Sequence, residues 1–350
     1  MPDHIPDFSP GTITLIGSGE MSPSMGKVHR AVLSRITGAA HPVFLDTPAG
    51  FELNADEISD RATQYFEQSL NLELVVASFK TATAAAPDRV ADVLHKLRRA
   101  NYIFAGPGSP TYAVRHWQNS PVGGAMAQRL AEGAHVVLAS AAAIAVGRYV
   151  LPVYEIYKVG QDPHWADGLD LLGPYNLELA ILPHWNNGEG GNHDTRYCFM
   201  GQPRMSYLEQ RLPDSATILG IDEYTACIID LGREECQVMG AGQITIRQKG
   251  REEKTYRAGT SFALDELRAR EDTATAETPL TIPTADWIEW PDAQECDDEA
   301  LAPYIDILIE IRARLRAEQH WALADEVRDR LAGLGIVLED GPAATTWKRT

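Results

Sequence analysis

The stretch HVVLASAAAIAVG, residues 135–147, constrains the fold more than any other. Four apolar residues run into Ser140 and then into three alanines, the pattern of a buried strand turning sharply into a helix. A serine at such a turn is pushed out of the backbone at the C-terminal edge of a sheet, where open α/β folds place their sites. The first amides of the following helix then point toward whatever the serine attacks. A serine there also serves as a plain helix N-cap. The full elbow pattern G-x-S-x-G is absent, because Leu138 and Ala142 stand at its glycine positions. On this stretch alone both readings of Ser140 stay open.

The surrounding chain alternates strand and helix patterns. Residues 12–16 (TITLI), 42–46, 72–77 and 102–105 read as strands, and 27–36, 56–69 and 88–99 as helices, the last with Val90, Val93, Leu94 and Leu97 at helical spacing. A further helix ending near Glu132 returns the chain to the Ser140 strand. Such alternation predicts an α/β fold with a largely parallel sheet sandwiched by helices. Residues 206–212 predict a helix, 217–222 and 226–230 strands, and 236–240 with 243–247 a hairpin about Ala241-Gly242. The α/β domain is expected over residues 1–264. Residues 265–300, charged, Thr/Ala-rich and broken by proline, predict a linker. Residues 301–350 predict a small tail built on a helical hairpin, with helices over 304–319 and 321–334.

Composition narrows the partners. A chain of 350 residues, 44% hydrophobic, can fill a sizeable core, and its formal charge of −18 disfavours nucleic-acid phosphates and anionic lipid. Small molecules or protein partners fit better, and self-association is left open. Cys198, Cys227, Cys236 and Cys296 lack CxxC spacing, so neither a metal site nor a disulfide framework is expected. Residues 1–10 are polar and proline-rich, and no apolar run approaches the ~20 residues that span a bilayer, so the expectation is a cytoplasmic chain with no membrane partner. Gly17-Ser18-Gly19 lacks the third glycine of a dinucleotide fingerprint, and residues 106–111 (GPGSPT) lack the Lys-Ser/Thr of a P-loop, so no cofactor is expected.

Hydrolytic chemistry has candidates beyond Ser140. Gly106 and Gly108 lie in a turn after a strand, where backbone amides can approach a reacting carbonyl. Glu155 follows Ser140 at +15 among apolar neighbours, and His184 at +44 just past a strand-like run. Glu155 on an exposed strand face, or His164 or His193 in place of His184, are alternatives that spacing does not decide. Residues 182–204, rich in Asn, Gly and charge, read as a functional loop over the sheet edge. Within it Asn187, His193 and Arg196 are candidate substrate contacts. Arg196 suits a two-pronged clamp on a substrate carboxylate, or a surface ion pair with Asp194 or Glu189.

The 106–112 turn, Ala139-Ser140-Ala141, Pro183-His184, His193-Asp194-Thr195-Arg196 and Gly220-Ile221-Asp222-Glu223, in that order, resemble the aspartyl dipeptidase and cyanophycinase family of serine peptidases, over about residues 12–246. The resemblance implies a class I glutamine-amidotransferase-like fold and hydrolysis of a small peptide or amide through an acyl-enzyme. It implies Ser140 as nucleophile, His184 as general base and acid, Glu155 as the carboxylate completing a Ser-His-Glu triad, and amides of Ala141 and of the Gly106–Gly108 turn as oxyanion donors. Two departures bear on the oxyanion: Pro107 has no N–H, and Ala142 replaces a family glycine. The alternative is a catalytically silent relative that binds a ligand or partner through the same pocket.

The tail resembles the C-terminal end of cysteinyl-tRNA synthetases over about residues 309–349, through Arg316-Ala317-Glu318, residues 321–326 (WALADE), residues 338–342 (LEDGP) and Thr346-Trp347. None of the synthetase's catalytic part accompanies it. The tail has no basic stripe, which favours a docking or packing module over tRNA contact.

Overall fold

A computed structural model describes residues 9–83 and 85–269 and, beyond them, eleven helical positions between 305 and 332 together with residues 336–340 and 345–349. The chain divides into two compact units, Met1–Glu277 and Thr278–Thr350.

In the first unit the strands are β1 (Thr12–Ile16), β2 (Pro42–Leu45), β3 (Val75–Ala77), β4 (Tyr102–Ala105), β5 (His135–Ala139), β6 (Tyr149–Val150), β7 (Ala166–Asp167), β8 (Leu179–Leu182), β9 (Thr217–Ile221), β10 (Thr225–Asp230), β11 (Glu235–Gly240), β12 (Gln243–Gln248), β13 (Lys254–Arg257) and β14 (Ser261–Ala263). The helices are α1 (Gly26–Leu33), α2 (Ala55–Tyr65), α3 (Pro87–Arg99), α4 (Pro110–Gln118), α5 (Pro121–Ala131), α6 (Ala141–Ala145), α7 (Val153–Tyr157) and α8 (Gly201–Glu209).

The strands form two sheets, of order β14-β11-β10-β1-β5-β4-β2-β3 and β13-β12-β9-β8-β6-β7. The expected α/β architecture is present. The pairs β1–β5, β5–β4, β4–β2 and β2–β3 are parallel, as are β6–β8 and β8–β9. Each sheet also carries antiparallel flanks. Strands β1, β2, β4 and β5 are buried throughout, which is why they read as unbroken apolar runs.

Two expectations change. The hairpin about Ala241-Gly242 does not form: β11 pairs with β10 and β14, whereas β12 pairs with β9 and β13, so the chain passes from one sheet to the other there. Gly240, at φ 113°, takes the backbone through that change of direction. The α/β unit also continues past residue 264, because Leu264 and Leu267 of a single 3-10 turn are buried. The rest of the expected linker lies outside the described residues.

One core cluster packs α1, α2 and the face of β1, β2, β4 and β5. At its centre is His29, fully buried and edge-on to Tyr65, Phe66 and Phe104. Its Nε2–H donates to the Glu20 carbonyl at 2.7 Å, and its Nδ1 accepts the Tyr102 hydroxyl at 2.5 Å. Both ring nitrogens are satisfied in the neutral form, and burial pushes the imidazole down to about 4.

In the second unit Ile305, Leu331 and Ile336 form a small core with Ile309, Val327, Leu338 and Trp347 against it. The described positions agree with the two expected helices. After these helices come two strands that the sequence pattern did not reveal, β15 (Ile336–Asp340) and β16 (Thr345–Arg349), which pair antiparallel.

Candidate active site

Ser140 sits between β5 and α6 at φ 51°, ψ −116°, a conformation that L-residues avoid and that persists only where the surroundings enforce it. Its amide donates to the Ile16 carbonyl of β1 at 3.0 Å, pinning the turn to the sheet. Its side chain makes no cap to α6. Instead Oγ lies 3.0 Å from Nε2 of His184, so the cap reading gives way to a presented hydroxyl.

His184 follows β8 and Pro183, and it too has a left-handed backbone, at φ 51°. Its Nδ1 stands 3.0 Å from Oε1 of Glu223, in the turn between β9 and β10. A carboxylate only accepts, so Nδ1 carries the proton and Nε2 is left to accept from the serine hydroxyl. The structure therefore brings Glu223, not Glu155, to His184. Glu155 lies on α7, with Oε1 accepting the Thr111 hydroxyl at 2.6 Å. Its strand alternative also falls, since α7 is helical.

Glu223 escaped the reading by spacing, yet a signal for it existed. Ser140, His184 and Glu223 each stand one or two residues beyond the C-terminal end of a strand, at β5, β8 and β9. The turn bearing Glu223 is held by the loop after β1. Gly17 comes so near that a Cβ on it would meet the Asp222 carbonyl oxygen at 2.0 Å, and its amide donates to the Thr225 carbonyl at 2.9 Å. The Glu223 amide donates to Asn186 Oδ1 at 2.8 Å, tying that turn to the His184 loop.

The dyad opens into a cavity of ~320 Å³ lined by Gly108, Ala141, Tyr157, His193 and Phe199 among others. As the first residue of α6, Ala141 has an amide with no acceptor in its own helix. Gly108 reaches the cavity at φ 145°, with the Pro48 carbonyl oxygen 1.9 Å from where a Cβ would stand. Gly106 does not line the cavity; its carbonyl accepts the Ala142 amide at 3.4 Å, so it buttresses the turn instead. Ala142 is fully buried within α6.

At Arg196 the ion-pair alternative with Asp194 holds and the clamp does not, and Asn187 departs from its reading as a substrate contact. Arg196 does not enter the cavity: Asp194 takes its guanidinium with two 2.9 Å bonds, and this pairing, aided by the Gln202 amide, holds the Asp194 carboxyl well below the usual range. The short reach from residue 194 to 196 makes the ion pair local, and Arg196 is not among the residues that line the cavity. Asn187 is buried and shapes the loop, its Oδ1 accepting the Glu189 amide at 2.8 Å, and it too lies outside the cavity lining.

Three consecutive residues of this loop, Tyr197, Cys198 and Phe199, have φ between 54° and 67°. Left-handed backbone costs roughly 1–2 kcal/mol per residue. The turn is locked by the Tyr197 and Cys198 amides, which donate to the Trp185 and His184 carbonyls at 2.9 and 3.2 Å, and by the Trp185–Tyr197 ring pair at 4.5 Å. Cys198 reaches the cavity, but burial, with the Glu223 charge adding to it, pushes its thiol up to about 12, which removes it as a competing nucleophile. Among the described residues no group of three or more His, Cys, Asp or Glu is placed to hold a metal ion, and no helix is long and apolar enough to cross a membrane.

Comparison with known proteins addresses the two units separately. The fold is similar to that of a peptidase from an acI-B1 Actinobacterium, with a TM-score of 0.59 and 20% identity, over 73% of this chain and 97% of that one. Residues 298–347 match the family described as the cysteinyl-tRNA ligase anticodon binding domain. Among individual proteins, the cysteine–tRNA ligase of Moorella thermoacetica is 47% identical over 57 residues, 16% of this chain and 12% of the ligase. That of Sodalis glossinidius is 60% identical over 45 residues, 13% and 10% respectively. The matched segment is about an eighth of those ligases or less. The chain thus joins a peptidase-like α/β fold to a segment similar to the anticodon-binding end of cysteine–tRNA ligases.

Proposed function

We propose that the chain is a serine hydrolase cleaving a small peptide or amide through an acyl-enzyme, with Ser140 as nucleophile, His184 as general base and acid, and Glu223 as the carboxylate that orients it. The observation that carries this reading is the unbroken relay from Ser140 Oγ through both nitrogens of His184 to Glu223, with 3.0 Å at each step. His184 takes the hydroxyl proton as Oγ bonds to the substrate carbonyl carbon, and returns it to the leaving amine as the C–N bond breaks. Water then attacks the acyl ester with the same assistance. The amides of Ala141 and Gly108 receive the oxyanion, a role Pro107 cannot share for want of an N–H. The likeness of the fold to a peptidase supports the class of reaction. The chain acts in the cytoplasm on this reading.

The test is turnover of a panel of dipeptides and a p-nitrophenyl ester by the full chain and by Ser140→Ala, which is expected to lose about a thousandfold or more. Equal turnover by the variant would remove Ser140 from the mechanism. Binding without turnover by the unaltered chain would favour a silent relative. Residues 298–347 we assign to docking, and the match to ligases makes tRNA the first occupant to try. Filter retention of labelled tRNA by the full chain is the measurement, and no retention at low salt would turn the segment toward a protein partner.

A further inference from the structure

Burial divides the lining of the cavity at Ser140 into two parts. An inner wall is built from three segments of chain. Ile144 lies one helical turn beyond Ser140 on α6, Val153 and Tyr157 share a face of α7 at i, i+4, and Cys198 and Phe199 come from the loop that follows His184. Ile144, Val153 and Cys198 are buried, and Tyr157 and Phe199 are half-buried. The Phe199 ring stacks on Tyr157 with centroids 4.9 Å apart and stands 6.5 Å from the His184 ring, so apolar surface runs without a break from His184 to α7.

Charge is confined to the exposed rim. Beyond Ser140 and His184, the lining side chains able to carry charge at neutral pH are Lys158, Glu189 and His193, and all three are exposed. The Lys158 ammonium lies over the Tyr157 ring at 4.8 Å, and Glu189 sets an opposite charge on the same rim. Thr195, buried and polar, spends its hydroxyl on the Asn187 carbonyl at 3.3 Å and the Gly190 amide at 3.0 Å. Arg196, the cation suited to an acidic side chain, is bound to Asp194 outside the lining. A carboxylate seated on the inner wall would lose its water and meet no counter-charge, whereas an apolar side chain gains by covering the same surface.

We infer that Ile144, Val153, Tyr157 and Phe199 form the pocket for the side chain of the acyl residue and select a large apolar or aromatic one over an acidic one. The inference deepens the hydrolase reading and rests on it for its kinetic test, but not for its binding test. N-acetyl p-nitrophenyl esters of phenylalanine, leucine and aspartate share one leaving group, so the ratios of their kcat/KM values read the acyl side chain alone. The full chain is expected to prefer phenylalanine or leucine over aspartate by about a hundredfold. Tyr157→Arg brings a guanidinium to the wall and is expected to cut that ratio by about tenfold to a hundredfold, the size of a charge-assisted bond. A ratio does not depend on how much of a variant folds, and the preference of the unaltered chain needs no variant at all. Equal rates on the three esters, a preference for aspartate, or a ratio that Tyr157→Arg leaves intact overturns the pocket. If the unaltered chain hydrolyses none of the esters, the hydrolase reading fails by itself, and binding decides the pocket. In equilibrium dialysis Ser140→Ala is expected to hold N-acetyl-phenylalaninamide about tenfold more tightly than the α-amide of N-acetyl-aspartic acid, and equal binding or the reverse order refutes the pocket.

Discussion

The edge of the sheets around Ser140 and the core around His29 are built on opposite terms. At the edge, Ser140, His184, Tyr197, Cys198 and Phe199 all have left-handed backbone, and the polar side chains of His184 and Glu223 keep about a quarter of their surface in solvent. In the core, His29, Tyr65, Phe66, Tyr102 and Phe104 have ordinary backbone and almost no exposure. Strain is concentrated where side chains must be presented, and it is held there by hydrogen bonds from a relaxed scaffold. Changes at the edge should therefore act on rate, and changes in the scaffold on stability.

The sharpest way to break that contrast is Glu223→Gln, which keeps the shape but loses the charge that fixes the His184 tautomer. A fall in kcat of about a thousandfold to ten-thousandfold on an ester substrate is expected, with the melting temperature little changed. Gly108→Ala comes next. A Cβ 1.9 Å from the Pro48 carbonyl oxygen forces the loop to move, and losing one oxyanion donor is expected to lower kcat about a hundredfold to a thousandfold.

The core responds to pH. The folded pKa of His29 is pushed down to about 4 from 6.5, so the unfolded chain binds more protons between those values. The contribution of His29 is fully present above pH 6.5 and is lost as pH falls toward 4, amounting to about 3 kcal/mol. Glu20 and Asp46, whose carboxyls burial raises, act in the opposite sense: their contribution is full below the usual carboxylate range and fades as pH rises. Denaturant unfolding of the full chain against His29→Gln, at pH 7 and near pH 4.5, isolates the histidine. A difference between the two chains that does not vary with pH would contradict the buried neutral imidazole. The smallest effect is expected at Gly124, exposed in α5 with open space around it, where alanine should add roughly 0.5–1 kcal/mol.

Much of this division was legible in the sequence. Strands buried on both faces leave unbroken apolar runs, so TITLI, YIFA and HVVLA announced the parallel half of the first sheet. The two-residue strands β6 and β7 leave no such signal. Ala241-Gly242 looked like a hairpin turn, but β11 pairs back onto β10, the strand just before it, and β12 onto β9 in the other sheet, so the two strands do not meet. Ser140 and His184 were readable because each follows a strand. Glu155 misled because its distance from the serine was weighed, whereas the orienting carboxylate is set by which strand ends converge. Of the two readings of Arg196, the ion pair with Asp194 holds; the choice was not legible because a sequence does not say which acceptor a guanidinium meets first.

The central claim is that Ser140 is activated by His184 and Glu223, and covalent labelling tests it most directly. The full chain is treated with a fluorophosphonate and digested, and adducts are located by mass spectrometry. The account predicts one adduct, on Ser140, forming far more slowly in His184→Gln and in Glu223→Gln. An intact fold with no adduct on Ser140, or an adduct that forms at the same rate in both variants, would contradict it.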